Sequence, residues 1–331
     1  MPTWIVLCYA IFLLATSLWV GLFIWVQQPV SAALSDLLIS LWLIFAGLCF
    51  YLRTPTQSYL KALPALYMIC FVLLVGVFFL LKPYNERNWQ SNVERLVNYR
   101  FVDGQVEIHN VRNFIWHSKE HYTTQWETRR YALENINRVD LIISHFIQGP
   151  VAHAFISFGF KDGQHLAFSL EVRQEQHEGF SIVGGFFRQY ELALVVGDEN
   201  DVIYTRSNIR NEDVYLYPIQ MQDTEMQMLF LEYLNKANRL NHQPRWYNTL
   251  VSNCTNILFD LMEHAMGNIP RDYRVVLPGL LPNYLYDHGQ LDPSLSLAQW
   301  KQRAHVNPKT AHLSQGPDHA QSTFSQLIRQ Y

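Results

Sequence analysis

Cys254 lies in the run VSNCTNILFDL, where residue types and order suit nucleophilic chemistry. Asn253 or Ser252 reads as an N-cap and Cys254 as the first residue of a helix. The positive end of a helix dipole lowers a thiol's pKa and raises its thiolate fraction. Such a thiolate becomes a nucleophile when an imidazole stands beside it, and a carboxylate on the imidazole fixes the ring's tautomer. Backbone N–H groups at the helix start would serve as oxyanion donors. His153 and Glu171 meet the first two needs through strand register. Two period-two segments, VAHAFISFGF (151–160) and QHLAFSLEVR (164–173), flank the turn Lys161-Asp162-Gly163. Their apolar faces are Ala154, Ile156, Phe158 and Phe160 on one strand and Leu166, Phe168, Leu170 and Val172 on the other. These coincide only when paired residue numbers have an even sum. Pairing Phe160 with Gln164 does this, setting Glu171 opposite His153 and Ser169 opposite Phe155. A two-residue Asp-Gly turn would set Val172 against His153 and is rejected. Cys254, His153 and Glu171 are therefore the candidate catalytic residues, with Ser169 as the alternative third member.

Each residue also has a plainer reading. A lone cysteine is commonly a small buried hydrophobe, and a strand histidine is commonly structural. Glu171 pairs as readily with Arg173 on a solvated face. The polar Asn253-Cys254 dipeptide argues against simple burial of the thiol. His145, His165, His177 and Cys254 lack C-x-x-C or H-x-x-x-H spacing, so no metal and no cofactor is expected. Tyr190, Glu191, Asp201 and Arg206 fall at the ends of expected strands, and Tyr247 and Asn248 in the loop before Cys254. They read as site walls or, equally, as turn and loop anchors.

The positioning elements follow from pattern. Asp103-Gly104 separates two extended stretches, and 120–137 reads as a helix with apolar residues at Trp126, Leu133 and Ile136. Strands are expected at 139–147, 192–196, 201–206 and 213–217. A helix is expected over 225–239, capped by Thr224 with Gln227, and another from Cys254 to a stop at Gly267, with Ile257, Leu258, Leu261 and Ala265 inward. The result is an α+β domain with an antiparallel sheet and packed helices.

Charge separates this domain from what precedes it. Residues 1–81 hold only Asp36, Arg53 and Lys61, leaving 23 of the 25 basic and 27 of the 28 acidic side chains to the remainder of the 331-residue chain. The formal net charge of -3 gives no support to nucleic-acid binding. Apolar runs at 4–26, 34–52 and 64–81 are each close to the ~20 residues that cross a hydrocarbon core. The first lacks the basic n-region of a cleaved signal peptide, and two further runs follow it, so it is expected to remain as a span. Arg53 and Lys61 between the second and third spans place that loop and the N-terminus in the cytoplasm, and the large domain outside. Cys8, Cys49 and Cys70 fall in the apolar quarter, so Cys254 has no disulfide partner in its own domain. The expected organisation is three spans (1–81), a linker and domain start (82–109), a catalytic domain (110–300) and a polar, mobile tail (301–331).

The stretches GPVAHAFISFGF, SLEVR, FFRQYELALVVGDENDVIYTR and PRWYNTLVSNCTNILFDL together resemble the bacterial Lnb N-terminal periplasmic domain family, over roughly 110–270. That resemblance implies a circularly permuted papain-like fold related to NlpC-type enzymes, in which the histidine strand precedes the cysteine helix. It implies Cys254 as nucleophile and His153 as base. Ser169, Glu171, Arg173, Tyr190, Glu191, Asp201, Arg206, Tyr247, Asn248 and Asn253 become supporting or pocket residues. It also implies acyl transfer from a membrane phospholipid to the N-terminal amine of a lipoprotein, at the bacterial inner membrane with the domain periplasmic. The chain departs from the family name in having its own N-terminal spans and no second large domain. A cysteine hydrolase of the same fold, either a phospholipase or a cell-wall amidase, and a non-catalytic envelope assembly module are the competing readings.

Overall fold

The computed structural model describes residues 2–52, 62–313 and 321–330, arranged as two compact units. The first comprises residues 1–84, 179–190 and 246–249. Its three apolar helices are α1 (Thr3–Gln27), α2 (Ala32–Tyr51) and α3 (Leu63–Leu80), each long and apolar enough to cross a membrane. Tyr67 of α3 ties the bundle together. Its hydroxyl meets Thr16 Oγ1 at 2.8 Å and Ser17 Oγ at 3.0 Å, and its ring packs on Trp42 and Phe45. Interhelical hydrogen bonds of this kind hold helices together where lipid removes the hydrophobic driving force. Arg53 and Lys61, which carried the orientation argument, lie outside the described residues.

Two loop segments complete this unit. The first carries the short helix α4 (Ile182–Phe186), capped by Ser181 Oγ on the Gly184 N–H. Gln27 Nε2 donates to the carbonyls of Phe187 (2.6 Å) and Arg188 (3.2 Å), and Trp246 Nε1 donates to Leu81 O at 3.3 Å.

The second unit is the α+β domain. Its strands are β1 (Asn98–Val102), β2 (Gln105–Arg112), β3 (Ile115–Trp116), β4 (Tyr122–Thr123), β5 (Trp126–Tyr131), β6 (Ile136–His145), β7 (His153–Phe160), β8 (His165–Arg173), β9 (Glu191–Gly197) and β10 (Asp213–Ile219). Its helices are α5 (Glu199–Tyr204), α6 (Asp223–His242), α7 (Cys254–Met266), α8 (Leu281–Asp287), α9 (Leu297–Ala304), α10 (Asn307–Thr310) and α11 (Gln321–Leu327). The main sheet runs β1-β2-β9-β8-β7-β6-β10, with β5 also on β2, while β3 and β4 pair separately. It is mixed rather than antiparallel, because β2 meets β9 in parallel through Arg112 and Gly197. Only glycine fits there, since a Cβ on Gly197 would lie 2.6 Å from the Arg112 carbonyl oxygen.

Both sheet faces are covered. On one, Phe230 of α6 packs edge-on against Phe158, Phe160 and Phe168. On the other, Phe155, Ala167 and Val195 form a core with Val202 and Ile203 of α5 and with Val306, Phe324 and Ile328 near the C-terminus.

Four local expectations are corrected. Residues 120–137 form β4, β5, a three-residue 3-10 turn (Leu133–Asn135) and the start of β6, not one helix. A cross-strand ladder overrides the weak helical period there: Glu107 lies opposite Arg100 on one side and Arg130 on the other, and bonds both. Residues 201–206 are helical, since the short run Val202-Ile203-Tyr204 is compatible with either state and the buried Asp201 carboxylate selects one. That carboxylate accepts from Arg112 Nε and Nη2, the Phe114 N–H and Trp116 Nε1, all within 2.9 Å. The α6 cap is Gln222 with Glu225, not Thr224 with Gln227. Finally, the end of the polar tail is anchored. Phe324 and Ile328 are buried, and Arg329 donates to Asp140 Oδ2 and to both Glu199 oxygens within 3.0 Å. Residues 314–320 lie outside the described part.

Burial alone would raise the pKa of Glu199, but Arg329 outweighs it and holds the carboxyl at about 2. Such a depressed group contributes stability that is complete above the ordinary carboxylate range and lost as pH falls toward 2. Arg329→Ala leaves Glu199 and Asp140 without that cation and is expected to cost about 3 kcal/mol at neutral pH. Thermal unfolding against pH checks this, with the gap between variant and parent narrowing as pH drops below about 4.

Candidate active site

The β7–β8 hairpin has the register expected from parity. Ile156 pairs with Phe168, Ser157 with Ala167 and Phe158 with Leu166, and the Phe160 N–H donates to Gln164 O. Every pair shares the sum that sets His153 against Glu171. Apolar burial of alternate residues therefore fixes where the imidazole and the carboxylate stand.

The side chains form a relay rather than a simple triad. Ser169 Oγ donates to Glu171 Oε1 at 2.6 Å, and His153 Nε2 lies 2.7 Å from the same Oγ. A hydroxyl has one proton, and here Glu171 takes it, so Ser169 accepts from His153 Nε2–H. Nε2 also stands 3.6 Å from Glu171 Oε1. The tautomer is thereby fixed with hydrogen on Nε2, and Nδ1 is left as the basic ring nitrogen. Ser169 and Glu171, weighed as alternatives from sequence, act on the imidazole together.

Arg206 stabilises the carboxylate end. Its Nη2 donates to Glu171 Oε1 at 2.7 Å and its Nη1 to Glu212 Oε2 at 3.1 Å, and Ser144 Oγ donates to Glu212. Burial opposes ionisation of Glu171, yet Arg206 and His153 hold it well below the usual carboxylate range. Phe155, two residues along β7, is the shared floor. The His153 ring stacks on it at 5.3 Å and the Arg206 guanidinium lies 5.4 Å from its centroid.

Cys254 begins α7 as expected, and Asn253 is its cap. Asn253 Oδ1 accepts from the N–H groups of Thr255 (3.0 Å) and Asn256 (2.9 Å). Those two donors are therefore taken by the cap, which narrows the expected oxyanion donors at the helix start to the Cys254 N–H. The Cys254 sulfur is hydrogen-bonded to His153 and to the Ala154 N–H, with Thr255 Oγ1 at 3.7 Å. Burial of the thiol raises its pKa, but His153 and these donors outweigh burial and lower it. Burial and Arg206 push His153 down, but Cys254 and Glu171 outweigh them and raise it to about 9. The two shifts run in opposite directions, each toward the charged form of its group.

Three other candidates in this unit have partners elsewhere. Arg173 binds the entry segment, donating to the carbonyls of Val93 and Glu94 and packing 4.3 Å above Trp89. Glu191, opposite Arg173 on β9, is 3.3 Å from Arg87. Asp201 organises the β2–β3 corner as described above. Tyr190, Tyr247 and Asn248 belong to the first unit. There the Tyr190 hydroxyl accepts from the Ser181 N–H and donates to Gly179 O, and its carbonyl accepts from the Tyr247 N–H. Glu212, Ser144 and Phe155 were not singled out from sequence. Phe155 shares the strand face of His153 and was legible by parity. Glu212 lies just before the β10 pairing and offered no pattern.

Alkylation of Cys254 against pH tests the pair. The reaction is expected to persist well below the ordinary thiol pKa of about 8.5 and, in His153→Ala, to require pH above it because burial then acts alone. Peptide mapping isolates Cys254 from Cys8, Cys49 and Cys70; superimposable profiles for parent and variant would contradict the assignment.

Residues 122–279 match the family model described as the Lnb N-terminal periplasmic domain. No curated protein and no solved structure matches the chain.

Proposed function

We propose that this chain, whose residues 122–279 are an Lnb-type periplasmic domain, is a membrane-anchored cysteine acyltransferase that moves an acyl chain from a phospholipid to the N-terminal amine of a lipoprotein. Membership points to lipoprotein-modifying, acyltransferase-like chemistry and to a cysteine-dependent class of enzyme. Three membrane-length helices accompany it, in keeping with a multi-pass protein bearing a periplasmic domain. The order of a histidine strand, β7, before a cysteine helix, α7, supports the circularly permuted papain-like reading.

The observation that carries the mechanism is the directed chain from Cys254 through His153 and Ser169 to Glu171. The Cys254 thiolate attacks the carbonyl carbon of a phospholipid ester, with the Cys254 N–H placed to donate to the oxyanion. As the tetrahedral species collapses, the ester C–O bond breaks, and the leaving lysophospholipid oxygen takes the proton from His153 Nδ1. A thioester remains. An amine then attacks it, His153 Nδ1 accepts the amine's proton, and the C–S bond breaks to return the thiolate as the amide forms. Throughout, Ser169 and Glu171 hold Nε2–H in place, and Glu171 offsets the imidazolium charge while Arg206 keeps Glu171 ionised. Glu191, Asp201 and Arg173 are assigned supporting roles within the α+β unit, and Tyr190, Tyr247 and Asn248 supporting roles within the first unit. Confinement to the membrane suits a reaction whose donor and acceptor are both lipids.

Transfer to a synthetic diacylglyceryl-cysteine peptide, with phospholipid as donor, is the direct test. Cys254→Ala is expected to abolish the N-acylated peptide and His153→Ala to reduce it at least ~100-fold. Fatty acid release without peptide acylation would place the chain with the hydrolases. Glu171→Gln is expected to lower the rate of acyl transfer and pull its alkaline limb below pH 9, because the His153 pKa is raised first by Cys254 and then by that charge.

A further inference from the structure

The three-helix unit contains a cavity of about 690 Å³, within the size range of small-molecule sites. Its walls come from all three helices: Phe23 and Gln27 at the end of α1, Leu38 and Trp42 on α2, and Cys70 and Leu81 at the extremes of the α3 wall. At about 1.5 Å rise per residue, the wall from Leu81 to Cys70 is about 16 Å deep. That is the depth of one leaflet, since the full hydrocarbon core is about 30 Å. Apart from the Gln27 amide and the Trp42 indole, hydrocarbon and one thiol line it.

The end of this cavity marked by Gln27 and Leu81 is also where a cation is built in. Arg188 Nη1 donates to the carbonyls of Phe78 (2.8 Å), Phe79 (3.2 Å) and Leu81 (3.2 Å), and its guanidinium lies 4.4 Å from the Phe78 ring centroid. Gln27 Nε2 donates to the Arg188 carbonyl, so two cavity residues hold Arg188 directly. Arg188 takes a left-handed backbone, φ 57°, which a non-glycine residue adopts at a cost. Among the described residues no carboxylate lies within ion-pair distance of it. Its Nε and Nη2 remain to meet an anion, and the guanidinium fork is suited to phosphate.

We propose that the three-helix unit holds one glycerophospholipid, with an acyl chain in this cavity and its phosphodiester on Arg188. The occupant is fixed by two features read together. An apolar cavity one leaflet deep selects a hydrocarbon chain, and an unneutralised guanidinium at its polar end selects an anionic headgroup group. The proposal deepens the acyl-transfer reading by naming how a donor is held, and it rests on that reading for the lipid's role as substrate.

Native mass spectrometry of the full chain carrying Cys254→Ala, delipidated in detergent and titrated with phosphatidylglycerol or with diacylglycerol, tests it. The parent is expected to retain one phospholipid. Leu74→Trp, which fills the cavity, should abolish retention of both lipids. Arg188→Gln should weaken phosphatidylglycerol about tenfold and leave diacylglycerol unchanged, and Arg188→Lys should restore most of the loss. Equal phospholipid retention by the parent, Leu74→Trp and Arg188→Gln would overturn the site, as would an equal loss of both lipids in Arg188→Gln. Because Cys254 is absent throughout, lipid retention is read apart from catalysis. A chain that retains phospholipid yet never acylates Cys254 in the unsubstituted protein would remove the acyl-transfer reading and leave the lipid site in place.

Discussion

A partly buried carboxylate that must stay ionised is the constraint on which the candidate site turns. Glu171 offsets the charge on His153 only if something offsets the cost of burying Glu171 itself, and Arg206 does so through a 2.7 Å bond. Arg206 in turn is shared with Glu212, which Ser144 also bonds. The charge on the imidazole is therefore balanced by a series of partners on β6, β8, the turn after α5 and the approach to β10. Removing Arg206 takes the shared cation from both Glu171 and Glu212, which costs more than an intact pair contributes.

The same arrangement explains why both faces of the sheet are covered. On the face bearing His153, Ser169 and Glu171, α5 and the C-terminal residues Phe324 and Ile328 complete the core around Phe155. Arg329 closes that side by satisfying Asp140 and Glu199 together. A low-dielectric surround strengthens the interaction between the Cys254 sulfur and the His153 ring, and it makes each unpaired polar atom more costly. The C-terminal segment thus contributes to the surroundings of the candidate site through packing.

Much of this was legible in the sequence, and the rest failed for identifiable reasons. Strand parity placed Glu171 and Ser169 beside His153 because one face of the hairpin is wholly apolar, and a shift of one residue would have buried the polar row. A cap at Asn253 or Ser252 and a stop at Gly267 are equally plain; the structure selects Asn253, and Gly267 adopts φ 86°. The segment 120–137 was misread because its strand character comes from charges on partner strands, Glu107 above all, that no local period reveals. The tail was misread because composition averages over residues, whereas its attachment depends on Phe324, Ile328 and Arg329 alone. Arg206 reads from sequence as a site wall or, equally, as turn chemistry, because its pairing with Glu171 depends on a helical turn in a segment whose pattern suits a strand.

The first unit poses a separate physical problem, since three apolar helices in lipid gain little from hydrophobic burial and must associate by packing and polar contacts. Tyr67 meets that need with two hydroxyl partners, and the 179–190 segment adds hydrogen bonds to the ends of α1 and α3. The central claim, however, concerns Cys254, and intact-mass spectrometry of the purified chain in phospholipid micelles without acceptor tests it most directly. The account predicts one acyl chain bound to Cys254, released by hydroxylamine and absent from Cys254→Ala. A folded sample whose Cys254 alkylates readily at neutral pH yet acquires no acyl adduct would contradict it.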